Sequence, residues 1–294
     1  MTRRAALGAP IGVALAAPKT KAFVLAMHQT TQAGSDFRRS LEGCAKAGIL
    51  HVEIIPPLAE PFIKKEGVAA AKKLLGDLGI TAPACGGARG LVEPNPERAQ
   101  ALDELKRRLE WVAALGMDRI VAPCPYYGKA TPDDLKRASD NLREAGEIAA
   151  QFKVALMLEF MRGSTLIGTL PTALKVVRGA AHPWVKPMFD FYHFMAGLSR
   201  MDDLDLVHPG EFHHVHLQDL PDLPREFLDN TTREVPGDGV GPVVALLKKV
   251  KATGYRGPLS VELFHPRLQK GDPLGVAQEI RRKSEAVMRK AGLG

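Results

Sequence analysis

TPDDLKRASDNLREAGEIAAQFKVALMLEF, residues 131–160, holds one complete structural unit of the chain. Thr131 reads as a helix N-cap, and Pro132 sits in the first turn, where a missing N–H costs nothing. An amphipathic helical stretch follows. A short apolar run, KVALMLEF, then ends in Glu159. The same order of helix, short apolar strand and polar strand end recurs in both directions. Upstream, KAFVLAMH, ILHVEII, ITAPACG and MDRIVAPC read as strands. SDFRRSLEGCAKAG (with Ser35 as cap), EGVAAAKKLLGDLG and ERAQALDELKRRLEWVAALG read as the helices between them. Downstream, LPTALKVVRGA, WVKPMFDF, a short helix near MDDLDLV, EFHHVHLQD, GPVVALLKKVKATG, GPLSVELF and DPLGVAQEIRRKSEAVMRKAG continue the alternation.

Short strands rich in Val, Ile, Leu, Ala and Met, each separated from the next by a helix, spell parallel βαβ units buried on both faces. Eight units in a chain of 294 residues predict an α/β fold, a single (β/α)8 TIM barrel. An open doubly wound sheet with a nucleotide site is the alternative. No G-x-G-x-x-G follows the first strand and no P-loop occurs. ACGGARG (84–90) is glycine-rich, but it follows the third strand and lacks that spacing. The longest irregular stretch, Leu220 to Val240, is expected to lie as a loop over the active face.

Apolar residues make up 45% and charged residues 25%, an ordinary balance for a soluble globular protein. No apolar run is long enough to span a bilayer, so no membrane partner is expected. The net charge of +7 is spread along helix-like stretches, without a basic block interleaved with aromatics. That pattern reads as solvated faces, with no nucleic-acid partner. Cys44, Cys85 and Cys124 lack zinc-ribbon spacing and a disulfide framework, and read as small buried hydrophobes. Residues 1–18 carry an arginine pair (Arg3, Arg4), a weakly apolar stretch and an Ala-Leu-Ala-Ala end. This is the pattern of a twin-arginine export signal, which implies a periplasmic or exported protein; without it the protein is cytoplasmic. The barrel domain is taken as residues 19–294.

In such a barrel the chemistry sits at the C-terminal strand ends. Four consecutive strands carry ligand-type residues there: Glu159, Asp190, His216 and Glu262. Three carboxylates and one imidazole suit a hard or borderline cation, Mn²⁺ first, Mg²⁺ or Co²⁺ next, and zinc less well. Buried carboxylates are costly unless paired or metal-bound, so four such residues are hard to explain as packing. Within HHVHLQD, His214 and His216 share a face and His213 points away. His216 is expected at the rim and His214 one layer deeper as a hydrogen-bonded core residue. Gln218 shares the His216 face near the mouth, as a candidate substrate contact. Asp219 is expected to orient a ligand or cap the loop. Glu53 and His28 end the second and first strands and are candidates to line the pocket. Arg162 is a candidate partner for a substrate oxygen or a neighbouring carboxylate.

With LEF, DFYHF, HVHLQD, REVPGDG and GYRGPLSVELF in view, the chain resembles the xylose isomerase-like barrel superfamily. The similarity is strongest to its inosose isomerase and dehydratase branch and to the ketose 3-epimerases, and runs from about residue 21 onward. The resemblance implies that Glu159, Asp190, His216 and Glu262 bind one divalent metal ion. It implies that Glu159 and Glu262 double as the acid/base pair, and that His193 and Arg233 bind substrate. Barrels of this kind are often homo-oligomers, although no interface signature stands out.

A metal with two flanking carboxylates suits isomerisation or epimerisation of a keto-sugar or keto-inositol through a cis-enediolate. Loss of a β-hydroxyl from the same intermediate would make the protein a dehydratase. An apurinic-site endonuclease shares the superfamily fold but resembles a three-zinc design with extra histidines. Here the second and third strands end in Glu53 and in Cys85-Gly86-Gly87, and no His-x-His follows the seventh. A non-catalytic carbohydrate-binding barrel has no need of two opposed carboxylates. The turn Pro236-Gly237-Asp238-Gly239 places an aspartate where phosphate would be repelled, favouring an unphosphorylated carbohydrate substrate.

Overall fold

The computed structural model describes residues 23–293; the expected export segment, residues 1–18, lies outside the described residues. Eight strands are formed: β1 Val24–His28, β2 Val52–Glu53, β3 Arg119–Pro123, β4 Ala155–Glu159, β5 Val185–Pro187, β6 Phe189–Asp190, β7 Val215–Leu217 and β8 Pro258–Val261. All their pairings are parallel, in the orders β2-β1-β8-β7-β6 and β3-β4-β5. β5 and β6 are two halves of one barrel position, parted only at Met188. The expected third strand is present as single bridges, His51 to Thr81, Ile54 to Cys85 and Cys85 to Ile120. Pro83 lacks the N–H that a continuous ladder would use there. Through Cys85 and Met188 the two sheets join into one closed eight-position barrel, which removes the open-sheet alternative.

Around it run α1 Phe37–Lys46, α2 Pro56–Glu66, α3 Val68–Asp77, α4 Arg98–Ala114, α5 Pro132–Gln151, α6 Leu170–Ala180, α7 Phe191–Ala196, α8 Val243–Ala252, α9 Pro266–Gln269 and α10 Pro273–Lys290. α5 starts at Thr131 as expected. Its hydroxyl accepts from Asp134 N (3.3 Å), and Asp134 Oδ2 accepts from Thr131 N (2.9 Å). α1 is capped one residue later than expected: Asp36, rather than Ser35, accepts from Arg39 N at 2.9 Å. A carboxylate there favours the helix dipole as well as the cap. α2, α7 and α9 are additional to the expected helices.

Alternation along the strands divides the interior in two. Outward residues pack against the helices in the main core, with Met27, Val52, Ile120, Leu156, Phe189 and Leu259 among them. Inside the barrel, Ala84, Val121, Met157 and Met188 form a separate buried cluster. Met157 lies two residues below Glu159, and Met188 two below Asp190, so this cluster is the dry floor of whatever the strand ends build. Among the described residues no helix is long and apolar enough to cross a membrane.

Candidate active site

Strand register delivers the four expected side chains to one point. Asp190 pairs across β6 and β7 with His216, and His216 pairs with Ser260, two residues below Glu262. One ligand atom from each of Glu159, Asp190, His216 and Glu262 lies within 4.8 Å of the others. His216 Nδ1 is at the centre, 3.2 Å from Glu159 Oε1 and 3.4 Å from both Asp190 Oδ2 and Glu262 Oε2. All four residues are buried. Three buried carboxylates around an imidazole, with one guanidinium among them, form a mainly oxygen donor set that fits a divalent cation.

The opposite edge of the His216 ring faces Glu53, with Nε2 3.2 Å from Glu53 Oε2. A carboxylate behind a histidine fixes which ring nitrogen is free to bind a metal. Glu53 is fully buried and also takes His214 Nε2 at 2.8 Å. It therefore stands behind the cluster and does not line the cavity. His28 does line it. Its Nδ1 accepts from Thr30 N (3.1 Å), which leaves the proton on Nε2, 3.5 Å from both Glu53 and Glu262.

Arg233 is 1% exposed and makes the second half of the site. Its Nη1 donates to Glu262 Oε2 (2.5 Å) and Asp190 Oδ2 (3.3 Å). The guanidinium is stacked between Tyr192 (5.1 Å) and Phe264 (4.9 Å). His193 Nε2 lies 3.1 Å from Arg233 Nη2, while His193 Nδ1 accepts from Arg162 N at 3.2 Å. A guanidinium can only donate, so Arg233 Nη2 and Arg162 N both present N–H groups to His193, one to each ring nitrogen, and compete for the single lone pair of the neutral imidazole. Arg162 reaches the site only through this backbone N–H; no hydrogen bond from its guanidinium reaches the carboxylate cluster among the described residues. Gln218 is fully buried, with Nε2 on Asp190 Oδ2 (2.7 Å) and Oε1 on Tyr192 N (3.0 Å). Both ends of its amide are thus spent on holding Asp190 and the start of α7.

Charge and burial pull the ionisable groups apart. Burial raises the Glu159 carboxyl to about 7, against the hydrogen bond and charge of His216. Burial also opposes ionisation of Asp190 and Glu262, but Arg233 foremost among their neighbours holds both far below the usual carboxylate range. Burial would lower His216, yet Glu53, Glu262, Asp190 and Glu159 together carry it well above its ordinary value. His193 is lowered to about 4 by burial.

One support escaped the sequence reading, Thr31, and a second, the loop cap at Asp219, was expected. Thr31 Oγ1 donates to Val261 O (2.9 Å) and accepts from Leu263 N (3.0 Å), gripping the backbone on either side of Glu262. Asp219 caps the loop that carries Arg233, by accepting from the backbone N–H groups of Leu220, Gly237, Gly239 and Gly241 at 2.8–3.2 Å. The site opens into a cavity of about 390 Å³, walled by Ile55, Pro56, Pro123 and Phe264 and reaching outward to Arg89 and Arg108.

A family model described as the xylose isomerase-like TIM barrel matches residues 41–289, and the chain belongs to that family. Inosose isomerase of Halalkalibacterium halodurans is 28% identical over 242 residues, 81% of this chain and 86% of that one. L-ribulose-5-phosphate 3-epimerase UlaE of Escherichia coli is 27% identical over 208 residues, 68% of each chain. Among solved structures, the IolI protein, crystallised with a bound zinc atom, superposes with a TM-score of 0.85 at 24% identity, over 91% of this chain and 99% of that one. This likeness establishes the fold.

Proposed function

We propose that this protein is a divalent-metal-dependent isomerase or epimerase of a keto-sugar or keto-inositol. The observation that carries the reading is the convergence of Glu159, Asp190, His216 and Glu262 at the base of an open cavity. The kinship with inosose isomerase and a ketose-phosphate epimerase supports the substrate class. Mn²⁺ is the first choice of metal, with Mg²⁺ and Co²⁺ next; zinc, bound in the IolI crystal, belongs in the same trial. When bound, the ion supplies Lewis acidity that polarises a substrate carbonyl and acidifies the adjacent C–H.

The remaining work falls to the chain. Glu159 and Glu262 enter from different strands, one on each side of His216, and are the pair that removes a proton and returns one elsewhere. Glu53 keeps the proton of His216 on Nε2, so that Nδ1 faces the cluster. The Arg233 guanidinium, bonded to Glu262 and held beside His193, is the donor offered to a substrate oxygen. The apolar floor of Val121 and Met157 excludes water from beneath the reacting carbon.

The test is proton exchange from labelled solvent into candidate keto-sugars and inososes, with each metal, alongside elemental analysis. One ion per chain, lost or weakened in Glu262→Gln, together with exchange into at least one ketone, is expected. Three zinc ions per chain would point to the nuclease instead. Absence of exchange with every metal and substrate would sink the isomerase reading. Product analysis separates isomerisation and epimerisation from loss of a β-hydroxyl.

A further inference from the structure

The glycine-rich stretch GGARG after the third barrel position has no part in the chemistry above, yet it forms one wall of the cavity. A Cβ on Gly86 would stand 3.1 Å from His28 Nε2, so the loop passes directly beside the site. Gly87 takes a positive φ of 81°, and Gly90 one of 74°. Gly87 O accepts from Arg108 Nη1 at 2.8 Å, which fastens the loop to α4. Arg108 also gives its Nε to Glu60 Oε1 at 3.1 Å, and these two opposite charges at the cavity's outer end cancel. Arg89 is different. It lines the same cavity, is exposed, and has no carboxylate partner among the described residues, while Arg98 and Arg108 on α4 are paired with Glu144 and Glu60.

Three residues of chain, from Gly86 to Arg89, span at most about 11 Å. Arg89 and the carboxylates of Glu159 and Glu262 line one cavity, so a five- or six-carbon substrate with one end at the carboxylates has its other end in space that the Arg89 side chain borders. A cavity with one uncompensated guanidinium at its mouth and apolar walls between selects a molecule that is anionic at one end. We infer that the substrate carries an anionic oxygen group, carboxylate or phosphate, remote from the reacting carbonyl, and that Arg89 recognises it; Asp238, expected to repel phosphate, is paired with Lys283 and does not line this cavity. This rests on the proposed isomerase reading for what happens at the other end of the molecule. An excess of cations over anions in the whole chain is in keeping with it.

The experiment compares manganese-loaded protein with its Arg89→Met and Arg89→Lys variants, by calorimetric titration with myo-inositol, quinate and a myo-inositol monophosphate. Arg89 is exposed, so neither substitution threatens the fold. The wild type is expected to bind one of the two anions at least about tenfold more tightly than the neutral cyclitol. Arg89→Met erases that margin, and Arg89→Lys restores part of it. Which anion gains assigns the group as carboxylate or phosphate. Equal binding of all three ligands, or an anion margin that survives Arg89→Met, overturns the inference. Solvent-proton exchange in neutral ketoses but in no acidic ones leaves the isomerase intact and removes the anion subsite. An Arg89-dependent anion margin with no exchange in any ketone supports the subsite and overturns the isomerase.

Discussion

Asp219→Asn tests whether the active face depends on one buried carboxylate. Asp219 lies just past β7 and is 2% exposed. Oδ1 accepts from Leu220 N (2.8 Å) and Gly241 N (2.9 Å), and Oδ2 from Gly237 N (2.9 Å) and Gly239 N (3.2 Å). An asparagine has nearly the same shape, but one oxygen becomes an NH2 group. Whichever way the amide is turned, two backbone N–H groups lose their acceptor and meet another donor. A buried unsatisfied donor costs about 1–3 kcal/mol, so two cost about 4 kcal/mol. That is a sizeable fraction of the 5–15 kcal/mol typical of a whole domain. The loop can escape the penalty by opening locally, without unfolding the barrel.

Opening would not stop at the glycines. Asp219 and Glu234 exchange two backbone bonds, 2.9 and 3.1 Å, and Arg233 is the next residue. Releasing that bridge withdraws Arg233 from between Tyr192 and Phe264. The assay is amide hydrogen exchange read at Asp219 and Glu234, whose N–H groups do not touch the altered side chain. A local cost of about 4 kcal/mol predicts exchange up to about a thousandfold faster at both. Catalytic efficiency on any ketone that exchanges in the wild type should fall through KM and kcat together. Unchanged protection at Glu234, with activity lost all the same, would refute the chain of reasoning from carboxylate to loop to Arg233.

Three further substitutions probe other levels of the structure. Glu53→Gln removes the carboxylate that faces His216 Nε2 and should weaken metal binding about 10–100-fold in competition with a chelator; an unaltered affinity would exclude Glu53 as the group that orients His216. Thr31→Val keeps the volume but leaves Leu263 N and Val261 O unpaired, so about 2 kcal/mol of stability should be lost in denaturant titration, with loosened metal binding; a loss of stability alone would mean that Thr31 does not position Glu262. Thr131→Ala removes the cap of α5, none of whose bonds reaches the carboxylate cluster, and should cost about 1 kcal/mol without touching metal content. A stability unchanged in that variant would show that Asp134 and Pro132 hold the helix start by themselves.

The barrel could be read from the sequence because its signals are local. A cap, an amphipathic helix, a short apolar strand and a carboxylate at its end follow one another within about thirty residues, as in 131–160. What escaped was local information that points the wrong way. α2 contains Pro56, Pro57 and Pro61, and a proline-rich start reads as a break. Two of the three occupy the first turn, where proline is tolerated, and only Pro61 gives up a helical bond. The third barrel position carries Pro83, so it pairs only through isolated bridges. The supports of the site escaped for the opposite reason. Glu53 meets His214 and His216 from 161 and 163 residues away, and Thr31 meets Leu263 from 232. No periodicity within one element encodes a contact across the barrel.

Asp190 and His193 stand between these cases. The spacing D-x-x-H was noticed as part of a family pattern, and the structure supplies its local cause. Asp190 is the N-cap of α7, and its Oδ1 accepts from the backbone N–H of His193 at 2.6 Å. An N-cap side chain reaches the third helical residue, and His193 is that residue. Its other oxygen remains turned toward His216, Gln218 and Arg233. One carboxylate thus faces the carboxylate–imidazole cluster with one oxygen and sets the position of His193 with the other. Asn is a good N-cap, so Asp190→Asn should leave α7 and His193 in place while removing a charge from the cluster. Asp190→Ala should disturb both. If the two variants lost metal and His193 geometry equally, the cap would not be what joins the two halves of the site.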